Sequence, residues 1–119
     1  MKTTSTVEKT TTGGWYTIKE KKRLVTYSFV AKGNIYTGRA TCSPEDTFDV
    51  EKGKRIAKLR AILALKKDGL RELRTDLTIA QNVLTPASVK AIEGPLNEKI
   101  EVYAVSVQNL EKKIAEQLG

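Results

Sequence analysis

The residues best suited to chemistry lie just before the middle of the chain. The string Cys42-Ser43-Pro44-Glu45-Asp46-Thr47-Phe48-Asp49 sets a thiol and three carboxylates within eight residues. Acids this close could share a proton or hold a hard cation. A cation site, however, wants regularly spaced oxygen ligands in a carbonyl-rich loop, and that spacing is missing. Helix capping accounts for every acid instead. Ser43 reads as an N-cap, Pro44 as the first helical residue, and Glu45 and Asp46 as first-turn acids facing the positive end of the helix dipole. Asp49 offers a second N-cap with Glu51 behind it. Cys42 would need a lowered pKa to act as a nucleophile. The chain has no histidine, so Cys-His and Ser-His pairs, a histidine base and the usual zinc sites are all excluded. The expectation is a structural cysteine at a strand end and a protein that is not an enzyme, with no metal and no cofactor.

Gly33, Gly38 and Gly53 make no phosphate loop: neither G-x-G-x-x-G nor G-x-x-x-x-G-K-[ST] occurs. Gly53 reads as a tight turn or a close helix–strand approach. The cations fall into three groups: Lys19, Lys21, Lys22, Arg23, Lys32 and Arg39; then Lys52, Lys54, Arg55, Lys58 and Arg60; then Lys66, Lys67, Arg71 and Arg74. The last group reads as a solvated helix face. Arginine forks grip phosphate in bidentate fashion and aromatic rings stack on bases. Arg55, Arg60 and Arg39 are therefore candidate phosphate ligands, with Phe48, Tyr36 and Trp15 as candidate stacking partners.

These residues must be positioned by two different kinds of element. Residues 15–42 are rich in β-branched and aromatic types. Trp15–Ile18, Leu24–Ala31 and Ile35–Cys42 read as strands, with Val25, Tyr27 and Phe29 alternating against Thr26 and Ser28. Lys19–Arg23 and Lys32–Asn34 supply the connections, giving an antiparallel meander. The Thr-rich leader within 1–14 is either an edge strand or mobile.

From Ser43 the period changes. Ile56, Leu59, Leu63, Leu70, Leu73, Leu77, Ala80 and Leu84 follow steps of three and four, with one step skipped at Lys66. Gly69 marks a place for a kink. Thr85-Pro86 ends this helix and caps the next, and Gly94-Pro95 reads as a second break. Leu96, Ile100, Tyr103, Val107, Leu110, Ile114 and Leu118 make the second stripe. The fold expected is α+β in a single domain, 1–119. A small N-terminal antiparallel β-sheet is followed by two long helices (43–119) forming an antiparallel helical hairpin. Narrow stripes leave apolar edges uncovered, so the hairpin is expected to dimerise.

With 21 Lys plus Arg against 14 Asp plus Glu, the chain carries +7 and suits an anionic partner. Its 39% hydrophobic and 29% charged content is that of a globular domain rather than a disordered tail. A single cysteine excludes an internal disulfide. No apolar run is long enough for a membrane span, and the first residues lack a signal-peptide stretch, which points to an intracellular protein.

The string Cys42-x-Pro44-x-Asp46-x-Phe48-Asp49, followed by Gly53, Ala57, Arg60 and Ala61, resembles a motif of small proteins encoded by phages of Gram-positive bacteria. The layout, a short sheet and then two long helices, is similar to that of the first type of Thoeris anti-defence protein, a nucleotide "sponge". That resemblance implies a phage inhibitor of bacterial immune signalling in the cytoplasm of the infected host. It would bind and sequester the cyclic ADP-ribose isomer of Thoeris without cleaving it. It implies a homodimer or a hexamer, and cyclic oligonucleotides of CBASS as further ligands. The alternative carried by charge alone is a small basic phage nucleic-acid-binding protein.

Overall fold

The computed structural model describes residues 5–118. The chain folds as α+β: four strands, then two long helices. The strands are β1 (Ser5–Lys9), β2 (Trp15–Lys19), β3 (Leu24–Ala31) and β4 (Asn34–Thr41); the helices are α1 (Val50–Val83) and α2 (Pro86–Leu118). The sheet is an antiparallel meander in the order β1-β2-β3-β4. Part of the Thr-rich leader thus forms the edge strand β1, paired to β2 with Lys9 opposite Trp15. Two compact units result. One comprises the sheet, α1 as far as Leu65 and α2 from Leu110; the other comprises Lys66–Asn109.

In the first unit, strand alternation sorts the residues. Tyr16, Ile18, Val25, Tyr27, Phe29, Tyr36, Gly38 and Ala40 turn to α1, where Ile56, Ala57 and Ala61 complete the buried core. Tyr16, Tyr27, Phe29 and Tyr36 run across the strands with ring centroids 4.7, 5.9 and 5.8 Å apart. Close approach of helix to sheet depends on small residues. A Cβ at Gly38 would collide with the Ala57 carbonyl, and one at Gly53 would lie 2.8 Å from Val25 Cγ2. Gly53 is therefore a close-approach glycine, the second of the roles its sequence context allows.

The helix begins later than the Ser43-Pro44 signal indicates. Residues 43–46 form a turn, with the Asp46 N–H donating to the Ser43 carbonyl at 3.1 Å. Asp49 is the cap that operates: its Oδ1 accepts from the Lys52 N–H at 3.1 Å. Phe48 packs against the core, and reaching it holds the chain non-helical up to Asp49.

The second unit is an antiparallel helical pair joined through Leu84-Thr85. Thr85 Oγ1 caps α2 by accepting from the Ser88 N–H at 3.3 Å. Leu70, Ala80 and Val107 are buried in it. Gly69 produces no break: α1 is continuous, and the glycine makes room for the Tyr103 ring, which a Cβ there would approach to 2.7 Å. Lys66, the skipped step of the stripe, sits at the same seam with Nζ 5.1 Å from the Tyr103 ring centroid. The Gly94-Pro95 break is likewise not made: α2 runs through Pro95. Glycine before proline has no Cβ for the proline ring to strike, and the carbonyl that loses its partner belongs to exposed Ala91.

Candidate functional site

The segment that carries the motif builds a groove of about 840 Å³ where β4 passes into α1. Cys42, Phe48, Lys52, Gly53, Ile56 and Leu118 are among its walls. Cys42 is half-buried, with Sγ 3.5 Å from the Ser43 carbonyl, 3.5 Å from that of Thr47 and 3.9 Å from that of Asp46. Arg23 reaches it from the β2–β3 turn: Nη2 donates to Cys42 Sγ at 3.5 Å, and the Cys42 N–H donates to the Arg23 carbonyl at 2.8 Å. Arg23 adopts a φ of 53°, in the left-handed region, and its Nε is buried without a partner. Of the acids, Asp49 is used as a cap and Glu51 pairs with Lys54 at 3.6 Å. Among the described residues, no three His, Cys, Asp or Glu groups come together to hold a metal ion.

The six sequence candidates all lie in the first unit but divide among four places. Phe48 lines the groove. Arg55 stands on α1 between the lining residues Lys52 and Ile56; its Nε donates to Gln117 Oε1 at 3.1 Å, next to lining Leu118. Tyr36 is buried in the aromatic row beneath α1. Arg60 Nη1 donates to the Arg39 main-chain oxygen at 2.6 Å and so ties α1 to the edge strand β4. The Arg39 side chain itself, and that of Trp15, lie on the opposite face of the sheet.

Cations of the first helical turns serve the helix-facing side. Lys54 pairs with Glu8 and has its Nζ 5.5 Å from the Tyr16 centroid; Lys58 Nζ lies 6.0 Å from that of Tyr27. The hydrogen bond that the Lys54 ammonium donates to Glu8 holds its pKa above the ordinary value. Burial, followed by the neighbouring Tyr27, raises that of the Tyr16 phenol. Two participants escaped sequence reasoning. Lys52 reads there only as one of a run of helix cations, and Arg23 only as part of a solvated connection. The Cys42–Arg23 contact joins residues 19 positions apart and leaves no local signal.

Comparison with known proteins finds no matching family model, no matching curated protein and no matching solved structure. Among the described residues, no helix is long and apolar enough to cross a membrane.

Proposed function

We propose that the chain binds a cyclic nucleotide messenger and sequesters it without cleavage, as a phage-encoded inhibitor of bacterial immune signalling in the host cytoplasm. The observation that carries this reading is the groove of about 840 Å³, whose walls include motif residues Cys42, Phe48 and Gly53. Its size falls in the range of small-molecule sites, roughly 300–1,000 Å³. Phe48 supplies a ring for a purine, and Lys52 a cation for a phosphate. Arg55, on the same turn of α1, is a second cation near the groove. Sequestration requires only complementarity, which agrees with a site that offers no histidine base and in which, of the lining acids Asp46, Asp49 and Glu51, Asp49 caps α1 and Glu51 pairs with Lys54. The messenger favoured by the motif resemblance is the cyclic ADP-ribose isomer of Thoeris, with cyclic oligonucleotides of CBASS as a second class. The assembly is a homodimer through the helices, or a hexamer built from such dimers. Exposed Val83, Val102 and Val105 on those helices support the pairing.

The test is to incubate the purified protein with a nucleotide mixture, wash it, heat it and identify what is released by mass spectrometry. An intact cyclic nucleotide is expected. Phe48→Ala and Arg55→Ala should each weaken its retention about tenfold or more while the ligand-free protein keeps its fold. Recovery of a linearised product would make the protein an enzyme and end the sponge reading.

A further inference from the structure

The face of the sheet turned away from α1 has a composition of its own. The register places Lys9, Trp15, Ser28 and Thr37 in one row across the four strands, and Val7, Thr17, Thr26 and Arg39 in the next. Lys19 lies in a third row with Leu24 and Thr41. The strands contain three cations, Lys9, Lys19 and Arg39, and all three fall on this face. Their one carboxylate, Glu8, falls on the other face and is bound there by Lys54. The hydroxyl groups of buried Ser28 and exposed Thr37 bond to each other at 2.8 Å. Val7, Val30 and Ile35 are 58%, 60% and 64% exposed, so this is a half-apolar surface open to solvent.

The geometry points to a single-stranded nucleic acid as the occupant of this face, at a site separate from the groove. The chemistry required is a flat π-surface for unstacked bases with cations of one sign along the backbone path. Trp15 supplies the first; Lys9 directly opposite it, with Arg39 and Lys19 in the adjacent rows, supplies the second. Strand spacing makes the face about 14 Å wide and sets Trp15 about 12 Å from Arg39, so a strand crossing it reaches the ring and the guanidinium together. A second copy is a poor occupant, because two faces bearing three cations each repel. A duplex is poor as well, because its bases are not free to stack on Trp15.

Trp15 is the only tryptophan in the chain, so its emission reports on this face alone. The experiment titrates the full chain with a fluorescently labelled oligothymidylate and, separately, with a duplex of equal length, reading anisotropy and Trp15 emission. The single strand should bind with quenching and the duplex much more weakly. Three phosphate contacts should give a log–log salt slope of about −2, a loss of roughly fifteen- to twentyfold between 50 and 200 mM salt. Trp15→Ala should weaken binding about tenfold or more and Trp15→Phe much less. Arg39→Gln should weaken it and flatten the slope by about 0.7. Phe48→Ala in the groove should leave it unchanged, so this proposal and the sponge reading fail separately. Circular dichroism confirms that each variant is folded. The proposal is overturned if the oligonucleotide does not bind at 50 mM salt, or if it binds without touching Trp15 emission. Self-association through this face, lost in Arg39→Glu, would also overturn it.

Discussion

The two faces of the sheet are built from alternate residues of the same four strands, yet they differ in nearly every physical respect. The face toward α1 carries a row of four aromatic rings, the fully buried Val25, and glycine where the helix backbone comes close. Its cations, Lys54 and Lys58, come from the helix and lie over tyrosine rings. The opposite face carries hydroxyls, scattered aliphatics, one indole and the strands' own cations. A face buried against a helix must be apolar and shape-matched; the face that stays in water is free to vary. Packing explains why the strand cations avoid the buried face; it does not explain why no strand carboxylate balances them on the open one, and that imbalance is the basis of the recognition proposed for it.

The contrast can be broken most severely at Gly38. Gly38→Val drives a side chain into the Ala57 carbonyl and the Ala61 amide and should cost about 3 kcal/mol or more, abolishing a cooperative thermal transition. Ile35→Thr, three residues earlier but on the open face, should stay within about 0.5 kcal/mol of wild type. Equal losses at the two positions would mean that the open face is covered in solution.

A milder form of the same contrast uses Val25→Ala. Removing two methyl groups from a fully buried site should cost about 2 kcal/mol in urea unfolding, with the m-value unchanged. A loss below about 0.5 kcal/mol would show that α1 relaxes onto the sheet and that its fit there is loose.

The smallest effect is electrostatic. Both shifted groups, Tyr16 and Lys54, lie on the helix side, and both pKa values are raised. A raised folded-state pKa means that the unfolded chain gives up its proton first. Stability is therefore full below the ordinary values of 10.0 and 10.5 and falls as pH rises beyond them. The melting temperature should hold from neutral pH to about pH 10 and then decline, by less than about 1 kcal/mol of stability from Lys54, because its partner Glu8 is partly exposed. Lys54→Met should reduce the alkaline decline, and Lys9→Met on the open face should not. A decline identical in all three proteins would detach the effect from the Glu8–Lys54 pair.

Strand positions and the heptad stripes were legible in the sequence because each depends on a local period. Alternation of Val25, Tyr27 and Phe29 marks β3, and steps of three and four from Ile56 onward mark α1. The errors came where two local signals competed. Ser43-Pro44 and Asp49 are both good caps, and the burial of Phe48 decided for the second. Gly94-Pro95 is a break in isolation, but a glycine before the proline and a solvent-facing Ala91 carbonyl let the helix continue. The candidate site was legible in part. The motif around Cys42 does line a groove. Tyr36 looked from its residue type like a stacking partner, yet its phase in β4 turns it into the core.

From sequence alone, the chain's residues determined the class of the fold, the absence of histidine chemistry, the cationic balance and the motif at 42–61, because composition and short-range periodicity need no partner. Tertiary structure alone decided which candidates share a surface. Strand register set Trp15 beside Lys9 and one row from Arg39, and the helix covering one face decided which alternate residues remained in water. A one-residue shift of pairing would reverse every such assignment without changing any local propensity, so the face on which each side chain acts is a property of the assembled sheet.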